Sequence, residues 1–198
     1  MCHSSPCRPY GSHTGTHTGI CFGHQIVAQA LGGECVPNGG KWEAAITKVM
    51  LTDLGRRIFG TQSVACSPCP HVGILDNVFI LQGIQQMHRD HVPVVPPPFH
   101  LLGSTPITEN QGMVLFSDSD TPLPTPDAPI PPIHILTLQG HPEFTAHIVK
   151  EIVKVRSESG VMDKKTAENA RLCADLHNDG VGPIGHAIWR VLLSVGCP

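Results

Sequence analysis

The spacing of apolar residues divides the chain into short strands and helices that alternate. Apolar residues at helical intervals predict a helix over 23–31, which ends at Gly32. The alternating, β-branched run 44–52 predicts a strand, and Thr52 is a candidate N-cap for a brief helical turn behind it. Three further strands are predicted, at 78–88, 112–116 and 133–140.

Prolines mark two irregular segments between these strands. The prolines of 92–102 argue against a central strand or a helix there, because proline has no backbone N–H to donate. The proline-rich stretch 117–132 is predicted to be a surface loop.

The C-terminal third is predicted to be helical. Thr145 is a candidate cap for a first helix, a second covers 163–177, and a third runs from Ile184 to Val195. The apolar stripe of the first helix consists of Ile148, Ile152 and Val155, with Val149 and Val153 beside them. Helices interleaved with strands predict an α/β domain with a mostly parallel sheet flanked by helices. Active sites in such sheets lie at the carboxyl ends of the strands.

Length and charge narrow the classes of function. The chain has 198 residues, enough for one well-packed domain. Its 13 Lys and Arg against 16 Asp and Glu give a formal charge of −3, so no basic surface is expected that would attract nucleic acid. No apolar run approaches the roughly 20 residues that span a bilayer, and the N-terminal stretch lacks the apolar core of a signal peptide. We expect a soluble, cytoplasmic protein that binds neither nucleic acid nor membranes.

The eight cysteines are scattered through the chain and are expected to be reduced thiols. Cys66 and Cys69, followed by His71, form half of a zinc site, but a structural zinc site takes four ligands and no second cluster is spaced to supply them. We expect a proline-rich loop here, with zinc binding as the alternative. No metal and no cofactor is expected in the functional site.

One cysteine is set apart by its surroundings. The stretch GICFGHQ (19–25) places Cys21 between Gly19 and Gly23, after a predicted strand and before the first predicted helix. A strand, a sharp turn and a helix form the context of a nucleophile elbow, in which small neighbours relieve crowding around a strained nucleophile. The positive end of the helix dipole would also favour a thiolate. We favour a nucleophile over the alternative, a buried structural cysteine.

A base and an orienting carboxylate follow another predicted strand. In LTLQGHPEFT (136–145), His141 would lie at the same carboxyl edge as Cys21, and Glu143 could orient its imidazole. A lone histidine at a strand end is more often structural. Together with the elbow, the pair predicts a Cys–His–Glu triad.

The motifs GICFGHQIVAQALGG (19–33) and LQGHPEFT (138–145) resemble the two signature motifs of class I glutamine amidotransferases. The segments GGKWE (39–43) and QQMHRDHV (85–92) resemble the stand-alone, GMP-synthase-like branch of that family, which includes the γ-glutamyl peptidases of plants. The resemblance continues to the C-terminus through ADLHNDG and AIWRVLL.

This resemblance implies hydrolysis of a γ-glutamyl amide, either glutamine or a γ-glutamyl peptide. Cys21 would attack the γ-carbonyl to form a γ-glutamyl thioester. His141 would protonate the departing amine and then activate water, while Glu143 aligns the imidazole. The N–H of Phe22, the residue after the nucleophile, would donate to the oxyanion.

Two further residues occupy positions that the resemblance assigns to substrate binding. Gln25, one helical turn from Cys21, matches the position that helps hold the glutamyl group; the alternative is an exposed polar residue of the helix. His88 lies in a segment that borders the same pocket, and a structural role is the alternative. The expected partners are the small-molecule substrate and, where ammonia is passed on, a synthetase subunit that accepts it.

The chain departs from the family before the elbow. Family members carry several strands and helices there, including a glycine-containing loop that supplies a second oxyanion donor, whereas 18 residues precede Gly19. We therefore expect a partial, flavodoxin-like amidotransferase domain over 19–198 after an irregular, non-family segment, 1–18. Losing one donor slows such enzymes by about 100- to 1000-fold. The alternative to an enzyme is a catalytically inactive, truncated homologue that acts as a binding or regulatory subunit.

Overall fold

A six-stranded mixed sheet is the centre of the protein in the computed structural model, which describes residues 15–60 and 81–193. The strands are β1 (His17–Ile20), β2 (Val36–Pro37), β3 (Glu43–Leu51), β4 (Leu81–His88), β5 (Asp90–His91), β6 (His100–Ser104), β7 (Gly112–Phe116) and β8 (Ile133–Leu138). The helices are α1 (Phe22–Ala30), α2 (Asp53–Phe59), α3 (Ala146–Glu158), α4 (Lys164–Cys173), a π-helical turn (Gly180–Ile184) and α5 (Gly185–Leu193). The sheet order is β1-β8-β7-β6-β3-β4, and β2 pairs with β5 separately.

The directions of the strands differ from the prediction. β1 runs parallel to β8, with Ile20 opposite Leu138, while the other pairs of the described sheet are antiparallel. The predicted α/β class is confirmed, but a mostly parallel sheet is wrong for the described strands. Loops 105–111 and 117–132 connect β6 to β7 and β7 to β8 without a helix. Antiparallel neighbours need only such loops, whereas parallel neighbours need a crossover connection.

Helices pack on both faces of the sheet, because successive side chains of a strand point to opposite faces. On β7, Val114 and Phe116 pack with residues of α2 and α5. Met113, the residue before Val114, packs with Ala28 of α1 on the other face. A further cluster joins Met87 of β4 to residues of α3 and α4. The sheet is therefore the middle layer, and its apolar side chains form the core.

Both predicted helix caps are confirmed. Thr52 Oγ1 accepts a hydrogen bond from Gly55 N at 3.1 Å at the start of α2. Thr145 Oγ1 accepts from Ile148 N at 3.4 Å at the start of α3. Each cap satisfies one of the backbone donors that a helix leaves free at its first turn, so the helix starts are fixed by local chemistry.

The buried face of α3 is rotated from the predicted stripe. Val149 and Val153, predicted to flank the stripe, are fully buried. Ile148 is 37% exposed and Val155 is 62% exposed, although both were predicted to lie on the core face. Spacing alone left several adjacent apolar lines on this helix, and packing against β3, β4 and α4 selects the line that contains Val149 and Val153.

β6 is a strand where prolines argued against one. It lies inside the sheet, between β3 and β7, and its Leu101 is opposite Met113. The prediction is wrong for 100–102 because the prolines of 93–98 all precede the strand. Residues from His100 onward keep the N–H groups that a strand needs for pairing.

The structure also differs from the prediction at the start of β1 and in the last two helices. His17 and Thr18, expected to be irregular, belong to β1, because pairing with β8 supplies backbone partners that do not depend on apolar side chains. The second C-terminal helix ends at Cys173 instead of 177. The third begins as a π-helical turn that contains Pro183 and only then becomes α5.

Some predicted features lie outside the described residues, so they stay predictions. Among them is the choice between a proline-rich loop and half of a zinc site. These features are the segment 1–14, Cys66, Cys69 and His71, the first residues of the predicted strand at 78–80, and Val195.

A close approach of β1 to α1 depends on one glycine. Cys21 alone separates the two elements, and Gly19 is buried against the first turn of α1. A Cβ on Gly19 would lie 2.8 Å from the carbonyl carbon and oxygen of Gly23, whereas a Cβ on Gly23 would meet nothing within 4 Å. Gly19, and not Gly23, therefore relieves the crowding at this turn.

The two glycines provide a matched pair of variants. Gly19→Ala is expected to lower the free energy of unfolding by about 1–3 kcal/mol, because two backbones would have to separate. Gly23→Ala should be tolerated or stabilise by about 0.5–1 kcal/mol, since alanine is the better helix former. Urea denaturation measures both values, and equal effects of the two substitutions would contradict this packing.

Candidate active site

Cys21 occupies a strained turn at the end of β1. Its backbone has φ 50° and ψ −102°, a conformation that residues other than glycine rarely adopt. Two hydrogen bonds fix the turn: Cys21 N donates to Leu138 O at 2.8 Å, and Gln25 N donates to Cys21 O at 3.1 Å. The thiol is partly exposed at the N-terminus of α1. The predicted strand, sharp turn and helix are confirmed, and the side chain stands above the sheet edge.

His141 reaches the same edge because β8 lies beside β1. The parallel register places Leu138, the last residue of β8, opposite Ile20, so the residues that follow both strands emerge together. His141 N donates to Gln85 O of β4 at 2.8 Å, which fixes the backbone of the histidine. The Cys21 thiol lies beside the His141 ring, close enough to raise the pKa of the imidazole. The structure therefore brings together the two residues that the sequence predicted to meet.

Glu143 holds the other side of the imidazole. Glu143 Oε1 lies 2.7 Å from His141 Nδ1, so this carboxylate accepts the Nδ1–H proton and leaves Nε2 available to the thiol. Burial opposes ionisation of Glu143, but the hydrogen bond from His141, a backbone hydrogen bond and the charge of His141 together outweigh it and lower the pKa of the carboxyl group. The side chain of Glu143 is nevertheless 53% exposed.

The proton on His141 is stabilised by these two neighbours. Burial of the ring favours the neutral form, but the hydrogen bonds and charges of Cys21 and Glu143 outweigh it and raise the pKa of His141 to about 9. The imidazole is therefore protonated at neutral pH. A thiol beside such an imidazolium has both a stabilising positive charge and a proton donor within reach.

Gln139 connects the thiol to Gln25. Its Nε2 lies 3.7 Å from Cys21 Sγ, and its Oε1 accepts from Gln25 Nε2 at 3.2 Å. Gln25 Nε2 also donates to Asp90 O at 3.0 Å. Gln25 is buried, so the alternative of an exposed polar residue is wrong. Gln139 was missed in the sequence, where the only signal was a polar residue at the end of an apolar strand, two positions before His141.

His88 reaches the site indirectly. Its ring is buried, with Nδ1 donating to Asp90 O at 3.1 Å. Nε2 lies 3.2 Å from Glu43 Oε2, in a charge contact that is off the line of a good hydrogen bond. His88 and Gln25 therefore share the carbonyl of Asp90, and His88 is one residue removed from the residues around the thiol.

Phe22 presents its backbone at the start of α1. It is the first residue of the helix, where N–H groups have no partner within the helix. Its side chain is 69% exposed, so only the main chain is placed to act beside Cys21.

Comparison with known proteins identifies relatives of the chain, although no family model matches it. A glutamine amidotransferase-like protein of Schizosaccharomyces pombe is 34% identical over 152 residues, which are 77% of this chain and 48% of that protein. Gamma-glutamyl peptidase 3 of Arabidopsis thaliana is 26% identical over 156 residues, covering 77% of this chain and 51% of that protein. The chain is related to the class I glutamine amidotransferases.

The fold of the chain agrees with its relationship to the glutamine amidotransferases. A crystal structure of a glutamine amidotransferase from Thermotoga maritima superimposes with a TM-score of 0.59 at 16% identity, covering 88% of this chain and 61% of that chain. The expected flavodoxin-like amidotransferase fold is thus confirmed. The chain spans about half the length of the curated relatives that it matches.

A layer of buried polar residues lies beneath the candidate site. The sequence did not predict it. Glu43 accepts from Thr105 Oγ1 at 2.6 Å and from Gln111 Nε2 at 2.7 Å. Gln111 Oε1 in turn accepts from Gln86 Nε2 at 2.9 Å. Burial opposes ionisation of Glu43, but the contacts with its neighbours, His88 first and then Thr105 and Thr108, together outweigh it and lower the pKa of this carboxyl group. The layer lies under the backbone next to His141, since a Cβ on Gly140 would meet Gln86 Nε2 at 2.8 Å.

Within 15–60 and 81–193, no group of three or more His, Cys, Asp and Glu side chains is placed to hold a metal ion. No helix in the same two segments has the length and apolar character needed to cross a membrane.

The coupling of Glu143 to His141 predicts a pKa change. Glu143→Gln should lower the pKa of His141 from about 9 toward 6.5, because the charged acceptor at Nδ1 is lost. His141 has a folded pKa above its unfolded value, so the stability from its protonation is complete below pH 6.5 and lost as pH rises through about 9. The stability lost between pH 6.5 and about 9 should therefore be smaller in Glu143→Gln than in the parent.

Titration of the His141 ring by NMR measures the change directly. Glu151→Gln, which removes an exposed carboxylate of α3, is the matched control and should leave the pKa of His141 where it is. A parent pKa near 6.5, or a pKa that Glu143→Gln leaves unchanged, would refute this account of the charge at the site.

Proposed function

We propose that the chain hydrolyses a γ-glutamyl amide bond through the triad Cys21, His141 and Glu143. One observation carries the proposal: a strained, partly exposed thiol at a helix N-terminus lies beside an imidazole whose Nδ1 is held by a carboxylate. This arrangement is the one that nucleophilic acyl transfer needs. The relatives, named as glutamine amidotransferase-like and as a γ-glutamyl peptidase, support amide hydrolysis in general terms.

In the first half-reaction, the Cys21 thiolate attacks the γ-carbonyl carbon, and a C–S bond forms. The carbonyl oxygen becomes an oxyanion that accepts a hydrogen bond from Phe22 N–H at the start of α1. When the C–N bond breaks, the imidazolium of His141 gives its proton to the departing nitrogen. The products are a γ-glutamyl thioester on Cys21 and free ammonia or an amine.

In the second half-reaction, neutral His141 removes a proton from water, and the hydroxide oxygen attacks the thioester carbon. The C–S bond breaks, glutamate leaves, and the thiolate is restored beside a protonated His141. Glu143 keeps Nδ1 occupied throughout, so Nε2 remains the nitrogen that exchanges protons with the substrate.

Substrate binding is assigned to residues next to the thiol. Gln25 has its amide nitrogen committed to Gln139 and Asp90, so its carboxamide oxygen is the atom proposed to accept from the ammonium group of the glutamyl substrate. His88 is proposed to act on the same pocket through the shared Asp90 carbonyl. The substrate class is glutamine or a γ-glutamyl peptide, and a synthetase subunit is the proposed acceptor if the product is ammonia.

Glutamate release from glutamine and from a γ-glutamyl dipeptide, measured at high protein concentration, tests the triad. Cys21→Ser should abolish release. His141→Ala should reduce it by at least ~100-fold, to a level that is hard to detect. Glu143→Ala should have a smaller effect, because an imidazole without its partner still accepts protons. Cys173→Ser, which removes a partly buried thiol at the end of α4, is the control and should keep the parent rate.

Two outcomes would count against the proposal. A soluble His141→Ala variant with the parent rate would remove the triad from consideration. A parent chain that binds glutamine with no release of glutamate would favour the alternative, a catalytically inactive binding or regulatory subunit.

A further inference from the structure

The His141 ring is stacked on a second ring that has no part in the triad. The imidazole and the Phe144 ring have centroids 3.9 Å apart and planes that differ by 10°. Hydrogen bonds at ring nitrogens lie in the plane of the ring, so the bond of His141 to Glu143 leaves its faces open. Phe144 covers one of these faces.

The backbone around the two rings is fixed on both sides of the stack. Phe144 N donates to His141 O at 3.3 Å, which closes the turn between them, and His141 N donates to Gln85 O at 2.8 Å. Asn178 Nδ2 donates to Phe144 O at 3.1 Å, and Asn178 Oδ1 accepts from Gly180 N at 2.9 Å. The ADLHNDG segment therefore attaches the turn to the start of the π-helical turn.

The side chain of Phe144 is also anchored. It is partly buried and packs against the cluster formed by α3, α4 and the strands beneath them. The ring is consequently a fixed surface, and the imidazole that lies flat on it has restricted rotation about its side-chain bonds.

Glu143 cannot supply this restriction alone. Its side chain is 53% exposed, and contacts of exposed carboxylates contribute little to holding a partner because water and salt compete for them. A single hydrogen bond at Nδ1 also leaves the ring free to turn about the line that the bond defines. The stack removes that freedom.

We propose that Phe144 is a positioning residue for the proposed hydrolysis: its ring holds the His141 imidazole in the plane that directs one nitrogen to Cys21 and the other to Glu143. This inference rests on the proposed function for its consequence in catalysis. The placement of the imidazole itself does not depend on which substrate the chain uses.

The stack has an electrostatic consequence that can be measured. An aromatic face attracts a cation, so Phe144 stabilises the protonated imidazole relative to the neutral one. The titratable groups that face the His141 ring are Cys21 and Glu143, and both also favour the protonated form. Loss of the aromatic ring should lower the pKa of His141 by about half a pH unit, in addition to loosening the ring.

NMR of the parent chain and of two variants tests the inference. In the parent, the His141 ring protons should show the upfield ring-current shift of a stacked imidazole. Phe144→Leu should remove that shift, lower the pKa of His141 by about half a pH unit, and reduce kcat for glutamate release about tenfold with little change in KM. Phe144→Tyr, which keeps the ring, should have the ring-current shift, the pKa of His141 and the kcat of the parent.

Several results would overturn the inference. Parent His141 ring protons at ordinary chemical shifts would show that the stack does not form in solution, and this holds even if Phe144→Leu fails to fold. A folded Phe144→Leu variant with the parent pKa and kcat would remove the positioning role. So would a loss of kcat in Phe144→Leu that Phe144→Tyr does not restore.

Failure of the proposed function would be seen separately. If the parent chain released no glutamate, the chemical shifts and the pKa of His141 would still decide whether Phe144 holds the imidazole. Circular dichroism of each variant identifies losses that come from unfolding.

Discussion

The parallel pairing of β1 with β8 is the constraint on which the candidate site depends. Because Ile20 lies opposite Leu138 and both strands run in one direction, Cys21 and the segment that contains His141 emerge at the same edge of the sheet. The bond from Cys21 N to Leu138 O continues this pairing by one residue and holds the cysteine at φ 50°. A conformation of that kind persists only where its surroundings impose it. The sheet therefore both strains Cys21, the proposed nucleophile, and brings His141, its proposed base, to the same edge.

The second determinant is the polar layer beneath the sheet edge. A buried carboxylate and buried amides destabilise a fold unless they find partners. Here Gln111 Nε2 donates to Glu43 and Gln86 Nε2 donates to Gln111, which links β3, β4 and the residue before β7. A network of this kind tolerates few alternative arrangements of its strands. The same strand β4 holds the backbone of His141, because His141 N donates to Gln85 O, the neighbour of Gln86.

Features that depend on neighbours in sequence were predictable, and those that depend on distant partners were not. The turn at Cys21 and the caps Thr52 and Thr145 follow from a few adjacent residues, so the sequence located them. Strand direction is decided by pairing between remote segments, which is why the mostly parallel sheet was wrong. Gln139 and Phe144 are an ordinary amide and an ordinary aromatic residue in the sequence, and only their contacts with Cys21 and His141 reveal them.

We expect the elbow and the neighbouring imidazolium to make Cys21 more reactive than the other cysteines of the chain. Reaction with a chloroketone analogue of glutamine, followed by peptide mass mapping, tests it most directly. We expect an adduct on Cys21 in preference to the other seven cysteines. The adduct should form more slowly in His141→Ala, and added glutamine should suppress it. Even labelling of all eight thiols, unaffected by glutamine or by His141→Ala, would contradict it.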